Sequence, residues 1–104
     1  MSETVTFTTC KDARQANAIA RALVKEKLAA CVNIVPGITS VYTWEGKTEE
    51  ASEVLLVIKS RAALSKRLVS RIRALHSYEV PEVVTLPIAS GNPAYLRWVR
   101  ESTR

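Results

Sequence analysis

Residues 31–59 hold two apolar, β-branched runs around one polar turn, and no other feature limits the possible folds as tightly. Cys31, Val32, Ile34, Val35, Ile38, Val41, Tyr42 and Trp44 form the rising run. Glu45-Gly46-Lys47 is the turn, and Glu53 to Lys59 is the return, with Val54-Leu55-Leu56-Val57-Ile58 as its apolar run. Alternation and β-branching of this kind specify strands. Typical strands have about five or six residues, whereas up to fifteen at ~3.3 Å each would reach about 50 Å. Pro36-Gly37 interrupts the rising run, as a bulge or sharp bend on an edge strand does. The return run is apolar on both faces and is expected to be buried on both.

The flanking segments supply the other elements. Residues 4–10 alternate Val5 and Phe7 with Thr4, Thr6 and Thr8, a short strand with one apolar face. Asp12 with Gln15 resembles a capping box, followed by Ala16, Ile19, Ala20, Leu23, Val24 and Leu28 at helical spacing. No glycine marks the end of that helix. Ser60 is expected to cap a second helix with Leu64, Leu68, Val69, Ile72 and Leu75 on its buried stripe. Residues 76–81 read as a loop ahead of Pro81, and 82–88 as a fourth strand. Asn92-Pro93 starts a terminal helix carrying Tyr95, Leu96, Trp98 and Val99.

The order β-α-β-β-α-β-α predicts one α+β domain over 1–104. Its first six elements form the ferredoxin-like split βαβ arrangement, with two helices on one face of an antiparallel sheet. A domain this small cannot cover so long a hairpin, and a projecting apolar strand edge pairs with another chain. The chain is expected to self-associate.

Composition narrows the function classes. No apolar run approaches a membrane span, and the first residues lack the basic and apolar regions of a secretory signal, so the cytoplasm is the expected compartment. Cys10 and Cys31 form no C-x-x-C pair and are expected to be free thiols. Asp12 is the only aspartate, and three glycines leave little for a phosphate loop, so no catalytic triad or nucleotide motif is legible and no enzyme is expected. The net charge of +5 permits an anionic partner, but the charge is segregated. Six basic and no acidic residues lie between Lys59 and Arg73, while four glutamates lie between Glu45 and Glu53. Opposite patches of this kind serve self-association as readily as nucleic-acid binding.

Several stretches together resemble the CutA family, the divalent-cation tolerance proteins. They are residues 26–33 (Glu-Lys-Leu-Ala-Ala-Cys-Val-Asn), 36–47 (Pro-Gly-Ile-Thr-Ser-Val-Tyr-Thr-Trp-Glu-Gly-Lys), 54–59, 76–82 (His-Ser-Tyr-Glu-Val-Pro-Glu) and 92–98. They span nearly the whole chain, and Leu-Ala-Ala-Cys with Tyr-x-Trp-Glu-Gly-Lys is the most specific combination. The resemblance implies a homotrimer broadly like the PII signalling proteins, and a loose association with copper or other divalent metals that folding does not require. It implies metal ligands on the first strand and before the Tyr-x-x-Pro-Glu segment, which here are Cys10 and His76. Leu75 stands where some members have a second histidine, and Thr8 where some have the strand cysteine.

His76 is the only histidine, and a helix C-terminus also favours its positive form without any metal. Cys10 beside Lys11-Asp12 has the position of an accessible thiol, while Cys31 reads as core. Tyr42, Trp44, Tyr78 and Trp98 are expected to anchor an interface or line an intersubunit cleft. Glu45, Glu79 and Glu82 with Lys59 read as a charged group, better as a structural salt bridge than as an acid–base pair. The ligand-binding set is therefore Trp44, Glu45, Lys59, Tyr78 and Glu82. Two other functions compete with a metal-associated trimer: a PII-like sensor with its small molecule between subunits, and an RNA-binding module of the same βαββαβ order. Against RNA, the strand over Val54–Ile58 lacks the base-stacking aromatics of such modules, so neither nucleic acid nor membrane is the expected partner.

Overall fold

The computed structural model describes residues 2–104. The elements are β1 (Glu3–Cys10), α1 (Ala13–Lys25), β2 (Cys31–Trp44), β3 (Lys47–Arg61), α2 (Ser65–Leu75), β4 (Val83–Pro87) and α3 (Pro93–Glu101), with a 3-10 turn at Ala62–Leu64. One four-stranded sheet runs β2-β3-β1-β4, and every neighbouring pair is antiparallel. Each strand–helix–strand unit therefore skips one strand: β3 lies between β1 and β2, and β1 lies between β3 and β4.

Helices α1 and α2 pack on one face of this sheet. Ala16, Ile19 and Leu23 of α1 and Leu68 and Ile72 of α2 meet Cys10, Val54, Leu56 and Ile58 in a single buried cluster. Fully burying side chains of this size stabilises the fold by roughly 1.5–3 kcal/mol each. Val24, expected on the same stripe, is exposed. The guanidinium of Arg71 grips the Glu26 carboxylate with two bonds of 2.8 and 2.9 Å, linking α2 to the end of α1. That pairing holds the Glu26 carboxyl below the usual carboxylate range.

Asp12 caps α1 by accepting from the Gln15 amide at 2.9 Å, as the sequence predicts. The end of α1, which has no glycine, closes instead on Lys27 in the left-handed region at φ 62°. The Leu28 amide reaches back to the Leu23 carbonyl at 3.0 Å and the Lys27 amide to Val24 at 3.1 Å. These two bonds make a Schellman closure, with Leu28 buried behind it.

Four expectations change. The return arm begins at Lys47 rather than Glu53, so β3 has 15 residues against 14 in β2. Ser60 does not cap α2: it is fully buried in β3, and its hydroxyl donates to the Leu28 carbonyl at 2.6 Å. Helix α2 starts at Ser65, with Leu64 at the N-cap position and no side-chain cap. On β1 the helix-facing side is Thr4, Thr6, Thr8 and Cys10, all buried, while Val5 and Phe7 turn to the opposite face. The α1–α2 layer thus covers threonines where alternation of apolar residues suggested the other side.

Helix α3 begins as expected, with Asn92 accepting from the Ala94 amide at 3.1 Å. It contacts β1 and β3, and Arg100 binds the buried Glu3 carboxylate at 2.9 Å. Only Val99 of its apolar residues is buried; Tyr95 and Trp98 remain exposed.

The hairpin turns tightly, with Glu45 at φ 50° and Gly46 at φ 80°, the two positive angles of a two-residue primed turn. Residues 41–50 are exposed throughout, so the arm projects beyond the helical layer. The sheet face away from α1 and α2 also carries uncovered apolar side chains, including Val84 and Leu86.

Candidate functional site

Where the hairpin leaves the body of the domain it borders a cleft of about 550 Å³. Strand β2 contributes Ser40, Val41, Tyr42 and Trp44; β3 contributes Glu53; the loop after α2 contributes Tyr78, Glu79, Val80 and Glu82. The bulge decides which β2 side chains share the sheet face of Glu53. Val35 pairs with Leu55, but Ile38 pairs with Glu53, so Pro36-Gly37 inserts one extra residue. Side chains alternate strictly along a strand, and one inserted residue exchanges the two faces. Beyond the bulge it is Ser40, Tyr42 and Trp44 that share the side of Glu53, not Val41 and Thr43. Gly37, at φ 77°, takes the left-handed angle this insertion needs.

The opposite wall is held by His76. Its Nε2–H donates to the Thr9 carbonyl at 2.7 Å, and its Nδ1 accepts from the Tyr78 amide at 3.2 Å. The carbonyl can only accept, so these partners fix the neutral tautomer with the proton on Nε2. The Tyr78 ring leans on the imidazole with centroids 4.8 Å apart. Its hydroxyl donates to the Glu53 carboxylate at 2.7 Å. Burial first, then this bond and the Glu53 charge, push the Tyr78 phenol well above its ordinary value. Glu53 is only 8% exposed, yet no lysine or arginine pairs with it among the described residues.

Of the residues expected at a site, Trp44, Tyr78 and Glu82 come together in the cleft. Glu45 does not, because it occupies the hairpin turn. Lys59 lies toward the other end of β3, paired with Cys31, and its ammonium bonds the Asn33 side chain. The salt bridge expected between Lys59 and the glutamates is therefore not formed; the ion pairs among the described residues are Arg71–Glu26 and Arg100–Glu3. Glu53 is the functional candidate that sequence reasoning missed. Its signal was a carboxylate directly preceding the buried run Val54–Ile58.

Cys10 is not the accessible thiol its position suggested: it is fully buried. Burial, then the charges of Glu53 and Asp12, push its thiol up to about 11. Cys31 is half-buried rather than core, and neither cysteine is in a disulfide. A divalent cation needs a deprotonated thiolate and a free imidazole lone pair. Here the thiol is held protonated at neutral pH and the His76 lone pair is taken by the Tyr78 amide. No three His, Cys, Asp or Glu side chains converge on a point among the described residues. Within this chain these groups do not fit a metal centre.

A model of the CutA1 divalent ion tolerance protein family matches residues 4–102. The divalent-cation tolerance protein CutA of Thermus thermophilus is 52% identical over 101 residues, covering 97% of this chain and 98% of that protein. Protein CutA of Mus musculus is 50% identical over 102 residues, covering 98% of this chain. The chain spans 58% of the length of that mouse protein and 57% of the human one. The solved Thermus thermophilus structure superposes with a TM-score of 0.96 at 51% identity, over 98% of this chain and 99% of that one. CutA from Xylella fastidiosa superposes with a TM-score of 0.97 at 38% identity, covering 100% of both chains. This chain belongs to the CutA1 divalent ion tolerance protein family.

Proposed function

We propose that this chain works as a homotrimer of ferredoxin-like protomers in a PII-like arrangement, and that it is a binding protein of the response to divalent metal ions rather than an enzyme. One observation carries the assembly: the projecting arm exposes Val41, Tyr42 and Trp44, and the uncovered sheet face exposes Val84 and Leu86. Apolar surface of this extent on a single small domain favours association with further copies. The names of its relatives carry the metal reading: the Thermus thermophilus protein is described as a divalent-cation tolerance protein.

Copper or another divalent metal associates, in this reading, with surface or intersubunit positions of the trimer and not with a preformed centre in the protomer. The two free thiols suit a reducing, cytoplasmic setting. Calorimetric titration of the purified protein with Cu²⁺ tests the metal part, against a His76→Ala, Cys10→Ser double variant. Saturable binding that the double variant retains is the expected result, because Cys10 is buried and the His76 lone pair is occupied. No binding by the wild-type protein would contradict the metal reading.

The cleft also favours a second reading, a small-molecule sensor of the PII kind, because it groups polar and aromatic side chains on rigid strands. An RNA-binding role finds less support, since β3 carries no aromatic residue at all. A salt-dependent filter-binding assay separates it from the others.

A further inference from the structure

We infer that the cleft between the hairpin and the 76–82 loop is a site for an organic cation of the alkylammonium or guanidinium class. Three observations lead there. Its walls include three aromatic rings, Tyr42, Trp44 and Tyr78, and three carboxylates, Glu53, Glu79 and Glu82. Among the described residues, no lysine, arginine or histidine side chain lines it. Finally, Glu53 is more than nine-tenths buried, and the one hydrogen-bond partner of its carboxylate among the described residues, the Tyr78 hydroxyl, is neutral.

A buried carboxylate without a counter-charge is costly, and the cost is relieved by a cation with hydrogen-bond donors. Guanidinium and ammonium groups form charge-assisted bonds to such an oxygen, and the electron-rich faces of tryptophan and tyrosine attract the same charge. Glu79 and Glu82, both exposed at the mouth, raise the local concentration of cations. The shape of the site selects an organic cation over a metal ion. The carboxylates do not converge as three ligands on one point, but they flank a volume of about 550 Å³. That volume suits a molecule with a cationic group at Glu53 and a carbon chain against the rings.

The same chemistry has two sources, a free amine or guanidine and a lysine or arginine side chain from a second copy of this chain. Calorimetry with agmatine, which carries both cationic groups, reads the first. The wild-type protein is expected to bind it saturably, and Glu53→Gln and Trp44→Ala each weaken binding at least tenfold, while the dianion glutarate gives no heat. Trp44 is on the exposed arm, so its truncation leaves the core intact. For the second source, agmatine gives no heat, but Glu53→Gln and raised salt each lower the mass of the assembly in solution. Agmatine binding that is unchanged in both variants overturns the proposal. So does the absence of agmatine binding together with an unchanged Glu53→Gln mass. The inference does not rest on the metal reading: failure to bind Cu²⁺ leaves both arms standing, and a monomer in solution leaves the first.

Discussion

The Tyr78 hydroxyl donates to the Glu53 carboxylate at 2.7 Å, joining the loop after α2 to the root of the hairpin across 25 residues of sequence. A hydrogen bond to a charged group contributes about 1.5–3 kcal/mol, and losing it leaves a buried carboxylate unsatisfied. Tyr78→Phe is therefore expected to destabilise the protein by about 1.5–3 kcal/mol. Denaturant unfolding at one fixed protein concentration measures it. A change within about 0.3 kcal/mol would show that the bond does not form in solution.

Alkaline pH is expected to weaken the fold through Cys10. Its thiol is raised from 9.0 to about 11 in the folded chain, so the unfolded chain loses this proton first. The folded state then binds more protons than the unfolded one, and stability falls as pH rises between 9.0 and about 11. Below that window the contribution is fully present. The full effect is at most about 2–3 kcal/mol at 1.36 kcal/mol per pKa unit. The Tyr78 phenol, also raised by burial, acts in the same direction above its ordinary 10.0. Urea midpoints across this range check it; a Cys10→Ala variant should show a shallower fall. An equal slope in the variant would remove Cys10 as the cause.

Thiol labelling separates the two cysteines. At pH 7 Cys31, which is half-buried, is expected to react with an aromatic disulfide reagent well before Cys10, which is fully buried. Mass spectrometry of the singly labelled protein identifies the site. Modification of Cys10 first would contradict its full burial.

Much of this fold is legible in the chain. Asp12 and Asn92 carry capping chemistry that is local, so both helix starts are readable without tertiary information. Ser60 has the same side-chain type but sits inside a strand, where the Leu28 carbonyl captures its hydroxyl; only packing decides between the two uses. The outer part of β3 was missed because both of its faces are exposed, so Thr48, Glu49 and Glu50 show no alternation to read. On β1 the misassigned face has a similar origin. Thr6 reaches the core side by bonding the Thr85 hydroxyl at 2.9 Å, a partner 79 residues away. At the cleft, Trp44, Tyr78 and Glu82 were readable as large or charged residues in polar segments. Glu53 was hidden in an acidic run whose other members face solvent.

Lys27→Gly is expected to stabilise the protein by about 0.5–1 kcal/mol. Lys27 is held at φ 62° to close α1, an angle that costs a residue with a Cβ roughly 1–2 kcal/mol and glycine nothing. The greater freedom of glycine in the unfolded chain offsets part of the gain. Denaturant unfolding reads the difference, and a loss of stability would show that the lysine side chain contributes more than its backbone strain costs.

Solution mass tests the assembly most directly. Light scattering coupled to size exclusion, at micromolar concentration and near-physiological salt, is expected to give three times the mass of the chain. A single-chain mass under those conditions would mean that the projecting arm and the apolar sheet face stay in water, and the homotrimer would be contradicted.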